Sequence, residues 1–436
     1  TMTQRIESSS HLDKFGPRYV VFLLFLAYAF SFVDRQILSI LFEPIKAEFD
    51  LSDTQLGFLG GIAFALTYSL LGVPLAMLAD RRARKGIITA SLAMFSVMTA
   101  LCGSAGSFLT LALARIGVGI GEAGVNPSSQ SMIADLFPKE KRSTPMAIVS
   151  AGAPFGMLTG LIGGSLVAAT WGWRTAFLVV GLPGLLLAII FWLTVREPKR
   201  GSSDNRESSM RDAPSLFETF RYMWRTKTLR YLVLAMTVTT IPGYGANAWF
   251  PAFFMRAHEL SIDQAGIILG LGGALTGMVG AIIGGITFDR LAKTSMTNAV
   301  KLIGWSQIVA YPASLLLYTA DHLVSAIIFL IIPSMCSAFF AGPVAALVQS
   351  LSQVRMRAVA ASITMLSVNL IGLGLGPTLI GILSDVLEPA FGADSLRYAL
   401  IVVGLFSVLS AFFFLRAANS VEDDIKTVDI AEASTL

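Results

Sequence analysis

Charge is scarce in this chain. Only 14% of its 436 residues are Asp, Glu, Lys or Arg, against roughly 25% in an ordinary soluble domain. Over such a length, that leaves too few polar groups to coat a globule, which excludes a string of soluble domains. Cysteine is nearly absent. Cys102 and Cys336 both sit in apolar runs, so neither a disulfide framework nor a cysteine-based zinc site is expected. The three histidines, His11, His258 and His322, lie far apart and argue against a His-rich metal centre. No phosphate-cradling Walker A sequence occurs, so ATP drive is unsupported. No metal or other cofactor is expected, and no nucleophile–base pair suggests an enzyme. What is abundant is apolar: 54% hydrophobic residues and a mean hydropathy of +0.70. The first 17 residues are polar, so a cleavable signal peptide is not expected. These features indicate an all-α membrane protein that crosses the bilayer many times.

A spanning helix needs about 20 largely apolar residues. Twelve segments qualify, at about 18–42, 54–79, 86–105, 108–134, 143–169, 174–194, 229–255, 264–288, 298–318, 323–350, 358–385 and 396–416. The long polar stretch 195–228 splits them into six and six. The expected organisation is a tail (1–17), a six-helix bundle (18–194), a linker (195–228), a second six-helix bundle (229–416) and an acidic, disordered tail (417–436). Within the linker, Pro214 precedes Leu216, Phe217, Phe220, Met223 and Trp224, interleaved or followed by Arg221, Arg225 and Lys227. That spacing suits an amphipathic helix lying at the membrane surface.

Basic residues set the orientation. With the N-terminus inside, 26 of the 32 Lys and Arg residues fall on the cytoplasmic side. Lys46, Arg174, Arg256 and Arg397 fall outside, and Arg35 and Arg115 lie within spans. Both termini are therefore expected in the cytoplasm and the protein in the cell's inner (plasma) membrane. The net charge of +4 and the pI near 9.1 then face anionic headgroups, and nucleic acid is not an expected partner.

Two features recur across the halves at nearly the same offset. Asp80-Arg81 ends the second span and Asp289-Arg290 the eighth. Lys141-Arg142 opens the fifth and Arg355-Met356-Arg357 the eleventh. One six-helix unit used twice is a transporter architecture. Asp80, Arg81, Arg84, Asp135 and Arg142, with Asp289 and Arg290 as the second copy, read as a conformational switch: ion pairs that latch one state of an alternating-access cycle.

The stretch from Gly72 through Asp80-Arg81 to Arg84-Lys85 resembles the signature loop of the major facilitator superfamily. Ala76 and Ala83 stand where that signature usually has glycine. Gly284-Gly285-Ile-Thr-Phe-Asp289-Arg290 is its weaker copy, and Arg115 with Gly119 and Gly124 resembles the fourth-helix motif. Gly152, Gly156, Gly160 and Gly164 recur every four residues, a face for close helix packing. Phe32-Val-Asp34-Arg35-Gln36 together with Gly119-Ile-Gly-Glu122-Ala-Gly-Val-Asn126-Pro127 is similar to the spinster family. The resemblance implies the major facilitator fold, two pseudo-symmetric bundles around a central cavity. It also implies export of amphiphilic lipids such as lysophospholipids or sphingoid phosphates, with no enzymatic step.

Charge inside a membrane is expensive, about 2.5–3.5 kcal/mol per residue on insertion scales. Asp34, Arg35, Arg115 and Glu122 must therefore have a purpose. At 1.5 Å per residue, Glu122 lies near the midplane and the other three about 6–9 Å toward the outside. They share a layer if the first and fourth spans are neighbours, as they are in the superfamily. A buried carboxylate can exchange a proton near neutral pH, and a nearby guanidinium can switch that affinity. Asp34 is read as the first proton-coupling acid and Glu122 as the second. Arg35 is read as the phosphate-binding group, and Arg115 as the partner that holds or releases an acid. Static ion pairs locking helix packing are the alternative. The second half has no deep acid. Tyr244, Asn247 and Asn369 are its candidate substrate contacts, near Ile241-Pro242-Gly243, where the helix pattern breaks; a Pro-kinked helix with locally satisfied polar groups is the alternative there.

Gly119-Ile-Gly121-Glu-Ala-Gly124 also fits the dinucleotide pattern, but it lies inside a span with no strand before it. The partners expected are an amphiphilic small molecule, protons and membrane lipids, with the chain monomeric. A drug or metabolite antiporter is the competing reading. A passive scramblase or channel is the competitor of another class, and it should need neither a gradient nor Asp34.

Overall fold

The computed structural model describes residues 16–138, 141–198 and 215–433, apart from the side chains of Val73, Ala76, Asp80, Arg81, Val354, Asp429 and 431–433. Every regular element among them is helical. A chain in hydrocarbon must satisfy its backbone polar groups internally, and the helix does so within one segment.

The first half runs through α1 (Pro17–Ile40), α2 (Phe42–Phe49), α3 (Asp53–Gly60), α4 (Ile62–Arg81), α5 (Arg84–Gly103), α6 (Phe108–Glu122), α7 (Val125–Leu136), α8 (Ser143–Ser150) and α9 (Gly152–Thr194). Then come α10 (Leu216–Arg225), α11 (Lys227–His258), α12 (Ile262–Ile268), α13 (Thr276–Ala292), α14 (Met296–Tyr318), α15 (Leu323–Ala338) and α16 (Ala341–Ser350). The chain ends with α17 (Arg357–Ser367), α18 (Gly374–Phe391), α19 (Ser395–Ala418) and α20 (Val421–Ala433). π-helical segments at Leu269–Leu275 and Val368–Leu373 join α12 to α13 and α17 to α18.

Nine described stretches are long and apolar enough to cross a membrane. Two of them, Ser143–Thr194 and Arg357–Ala418, are long enough to cross twice. Their turns fall at Gly172 (φ 82°) and Gly392 (φ 55°), where a left-handed backbone suits glycine. α11 supplies the twelfth span. Thr237, Thr239, Thr240, Tyr244 and Asn247 dilute its hydropathy. The helix nevertheless runs unbroken through Pro242, so the expected interruption there is absent.

Contacts divide the chain into two compact units, Thr1–Phe49 with Ala63–Ser208 and Asp50–Ile62 with Ser209–Leu436. The expected boundary put residues 50–62 in the first bundle. Glycine packing and ion pairing place them in the second unit. A Cβ on Gly57 would stand 2.5 Å from the Pro377 carbonyl oxygen, and Arg256 donates to both oxygens of Asp53 at 2.7 and 2.8 Å. Asp385 caps the start of α3, accepting from the amides of Asp53 and Thr54 at 2.9 and 2.7 Å.

In the first unit, α1 lies on the glycine face of α9. A Cβ on Gly156 would stand 2.9 Å from the Phe32 Cβ and nearer still to the Ala29 carbonyl oxygen. One on Gly160 would stand 3.0 Å from the Val33 Cα. The four-residue glycine spacing thus works as expected, admitting one backbone onto another. Beside the Gly172 turn, Arg174 reaches both oxygens of Glu48 at 2.5 Å, and the Trp173 indole N–H donates to it at 2.6 Å. These bonds, Arg174's first, hold the Glu48 carboxyl below its usual range.

The second unit has a core of Leu229, Leu232, Met236, Val300, Ile303, Val344, Leu347 and Phe414, which Met223 of α10 joins. α10 leaves Leu216, Phe217, Phe220 and Trp224 exposed on its other side, the amphipathic pattern expected of it. The tail expected to be disordered forms α20 instead, though its last three residues lie outside the described ones. Its acids sit at two helix N-termini, where unpaired amides and the helix dipole favour negative charge. Asp424 accepts from the Thr228 amide at 2.8 Å, and Glu422 accepts from the Thr297 amide at 3.2 Å and the Ser295 hydroxyl at 3.1 Å. Those bonds, the Thr297 amide's first, hold the Glu422 carboxyl low.

Candidate functional site

The α9 glycines bury one side of α1 and so turn the opposite side, Ser31, Asp34 and Arg35, into the first unit. Glycines on α6 do the same for its neighbours. A Cβ on Gly119 would stand 2.6 Å from the Phe64 carbonyl oxygen, and one on Gly121 2.6 Å from the Phe95 amide. Small residues there draw α4 and α5 close enough for Phe64 and Thr99 to reach the charged layer. The dinucleotide-like glycines of α6 are helix packing.

The four charges expected within the spans, Asp34, Arg35, Arg115 and Glu122, meet in this layer, and they pair crosswise. Arg115 Nη1 donates to Asp34 Oδ2 at 2.7 Å, and the Thr99 hydroxyl donates to Asp34 Oδ1 at 2.5 Å. Arg35 donates from Nε and Nη2 to Glu122 Oε2, at 3.0 and 2.8 Å. The Ser31 hydroxyl donates to that same oxygen at 2.5 Å. Adjacent residues of α1 thus choose partners two turns apart on α6.

The two pairs differ in three ways. Asp34 and Arg115 are 1% and 2% exposed, whereas Arg35 keeps 14% of its side chain exposed. Both oxygens of Asp34 are bonded, whereas Glu122 Oε1 is buried with no hydrogen-bond partner among the described residues. Arg35 also lies over three rings, 4.9 Å from the centroid of Phe32 and 4.8 Å from those of Phe64 and Tyr68. Among the described residues Arg115 lies over Phe64 alone, at 5.5 Å. In the first pair the acid is fully engaged, while Arg115 Nε is buried with no hydrogen-bond partner among the described residues. The second joins a cation that can be reached to an acid with one oxygen in reserve.

The other expected site residues divide. Arg84 is buried where α5 begins and binds Asp135, the backbone carbonyls of Ser131 and Pro198 at 3.1 and 3.0 Å, and Glu197 at 2.9 Å. Glu197 also accepts from the Lys85 amide at 2.7 Å. Arg142 donates to the Phe137 carbonyl at 2.9 Å. The side chains of Asp80 and Arg81 lie outside those described. Asp289 and Arg290 are exposed at the end of α13, so the second copy lacks the buried cluster of the first. Tyr244, Asn247 and Asn369 are half-buried in the second unit, Tyr244 against its core and Asn369 inside a π-helical segment. Such segments recur at functional sites.

Sequence reasoning missed Ser31, Phe64, Tyr68, Thr99 and Glu197. The signals were faint but present: Ser31 precedes Arg35 by one helical turn, and Tyr68 follows Phe64 by one. Thr99 is a polar group in an apolar helix, and Glu197 is an acid just past the end of α9. No group of His, Cys, Asp and Glu suited to a metal occurs among the described residues.

The family model described as Major Facilitator Superfamily matches residues 24–374. A solved bacterial homologue of the human lysosomal transporter Spinster, inward-facing and unoccupied, superposes with a TM-score of 0.83 at 30% identity, covering 93% of this chain and 98% of its own. An MFS-type efflux pump of Mycolicibacterium smegmatis is 31% identical over 96% of this chain and 97% of its own. The sphingosine-1-phosphate transporter SPNS2 of Danio rerio is 25% identical over 90% of this chain and 82% of its own. The chain belongs to the major facilitator superfamily and, within it, to the spinster family. It is an integral membrane protein with the fold of a small-molecule transporter.

Proposed function

We propose that this transporter exports an amphiphilic lipid, a lysophospholipid or a sphingoid phosphate, by proton-coupled alternating access, with both termini in the cytoplasm. One observation carries the reading. Glu122 meets Arg35 and Ser31 through a single oxygen and keeps Oε1 buried, with no hydrogen-bond partner among the described residues. A carboxylate so placed is neutralised either by Arg35 or by a proton on Oε1. A headgroup phosphate that draws Arg35 into bidentate contact therefore changes what Glu122 must bind. Substrate and proton act on the same ion pair, which is the requirement for coupling. Asp34, with both oxygens engaged, serves first to hold Arg115 and the fourth span, and Glu122 takes the leading coupling role. Tyr244, Asn247 and Asn369 contribute contacts from the second unit. The name of the Danio rerio relative supports a lipid phosphate as cargo. The name of the Mycolicibacterium relative favours the second reading, an antiporter of drugs or metabolites.

The test is flux of a fluorescent lysolipid in proteoliposomes, with and without a pH step. Wild type should respond to the step. Glu122→Gln should keep lipid exchange and lose the response, and Arg35→Ala should lose lipid transport. Equal, pH-blind flux from all three would leave a passive scramblase. A drug flux driven by the step, with no lipid flux, would favour the second reading.

A further inference from the structure

A single residue, Thr226, separates α10 from the spanning helix α11, so α10 lies at the mouth of a span. Ser215 starts it, accepting from the Glu218 amide at 3.1 Å. Its side chains sort by chemistry around the helix. Thr219 and Met223 come first, both buried. Leu216, Phe220, Trp224 and Phe217 follow, all exposed. Arg221 and Arg225 come next, also exposed, and Glu218 and Tyr222 close the circle. The apolar flank thus lies between the core and two guanidiniums, with Lys227 exposed just past the helix. Phe220 stacks on Trp224 with centroids 5.8 Å apart, and the Arg221 guanidinium lies 5.3 Å from the Phe217 centroid. Rings beside a row of cations fit the boundary of a bilayer, apolar groups among acyl chains and guanidiniums at the phosphates.

The remaining flank is tied to the second unit. The Tyr222 hydroxyl donates to the Leu351 carbonyl at 2.9 Å, and Glu218, the single acid of the helix, holds Arg355 at 3.0 Å. Met223 shares the core with Leu351 and Ala360. These partners bracket the turn between α16 and α17, where the eleventh span begins.

We propose that α10 is a docking site for anionic phospholipid of the leaflet it meets, and that lipid bound there steadies the α16–α17 turn. Charge complementarity selects the occupant. A neutral surface accommodates the apolar flank but gives Arg221, Arg225 and Lys227 no counter-ion, whereas a phosphodiester with net charge accepts from an arginine in bidentate fashion. Each basic residue near an anionic surface strengthens binding about fivefold. A docked helix rocks less about Thr226, so Tyr222, Met223 and Glu218 hold the turn more firmly. The charge of the leaflet is thereby felt by the span that carries Asn369, separately from the ion pairs of the first unit.

The test starts with native mass spectrometry of the full chain in neutral detergent, titrated with phosphatidylglycerol or phosphatidylcholine. Wild type should prefer phosphatidylglycerol about tenfold or more, and added salt should narrow the gap. Arg221→Gln/Arg225→Gln should lose most of the preference; the single substitutions stand in if the double variant fails to fold. Arg290→Gln/Lys293→Gln, which removes two exposed cations elsewhere in the second unit, should keep it. Hydrogen exchange over residues 351–367 in nanodiscs then reads the turn. Phosphatidylglycerol should slow it about threefold or more in wild type and not in the α10 arginine variant. Glu218→Gln/Tyr222→Phe should bind the lipid as wild type does and lose the protection. Equal affinity of wild type for both lipids overturns the docking site, as does a preference that survives loss of the α10 arginines or falls as far in the control pair. Displacement of the lipid by inorganic phosphate would assign the arginines to a free anion. A dimer abolished by Phe217→Ser/Trp224→Ser would assign the apolar flank to a second copy. Lipid preference without any change in exchange overturns the link to the turn.

Discussion

Asp34 and Arg35 are neighbours in the chain with opposite surroundings, and that difference has measurable consequences. Asp34 is fully buried and holds Arg115 and Thr99. Asp34→Asn keeps the shape and removes the charge, leaving the Arg115 guanidinium buried without a counter-ion. Breaking a buried pair from one side costs about 3–5 kcal/mol. The variant should therefore unfold well below wild type in a thermal melt of the purified protein. Glu122→Gln should lose less than about 2 kcal/mol, since a side-chain amide oxygen still accepts from Arg35 and three rings still hold it. Equal melting temperatures for Asp34→Asn and wild type would mean the pair is no lock. The four charges were legible in the sequence because charge inside a span is rare. Their pairing was not, since it depends on how α1 is rotated about its axis. That rotation is set by α9, 120 residues away in the chain. The three rings around Arg35 were hidden for another reason: Phe and Tyr are common in spans, and only their arrangement distinguishes these three.

The glycine ladder of α9 is the element-level device that sets this rotation. Gly156 faces α1 with no room for a methyl group, whereas a Cβ on Gly163 of the same helix would meet nothing within 4 Å. Gly156→Ala must therefore push α1 away, at a cost of about 1–3 kcal/mol. It should also slow lipid flux, because Asp34 and Arg35 ride on α1. Gly163→Ala should be neutral or stabilising by up to about 1 kcal/mol, the helix-propensity gain of alanine over glycine. Thermal melts of the two variants check the contrast, and equal gains would show that helix propensity rather than close packing sets the effect. The ladder was readable because four-residue spacing on a helix is one face whatever the tertiary structure. The breaks in the spans were not readable. Gly61 between α3 and α4, and the π-helical segment before α18, answer to packing partners more than 300 residues apart: a Cβ on Gly57 or Gly61 would crowd the carbonyls of Pro377 and Gly374. The α20 helix is a similar case. An acidic composition reads as a solvated tail, and only the open N-termini of α11 and α14 give its carboxylates something to bind.

At the scale of the whole molecule, the two halves repeat their order of elements but not their chemistry. The left-handed turns at Gly172 and Gly392 occupy matching places, and so do the motifs at Asp80-Arg81 and Asp289-Arg290. The Asp34–Arg115 and Arg35–Glu122 pairs belong to the first unit, and the Asp53–Arg256 pair and both π-helical segments to the second. The repeat was legible because motif and spacing survive in both halves; the asymmetry was not, because a short motif does not say whether its charges are buried. Arg84 and Lys293, each four residues after the aspartate of its motif, give the sharpest test. Arg84 is 2% exposed and holds two acids and two backbone carbonyls. Removing it takes away the guanidinium that joins Asp135 to Glu197. Glu197, at 28% exposure, keeps some water, which brings the expected loss to the lower part of the about 3–5 kcal/mol range for a broken buried pair. Lys293 is exposed just past the end of α13, and Lys293→Ala should stay within about 0.5 kcal/mol of wild type. If the halves were functionally equivalent, the two alanine variants would melt alike and slow transport alike. A large loss for Arg84→Ala with a silent Lys293→Ala would place the stabilising latch in the first unit alone.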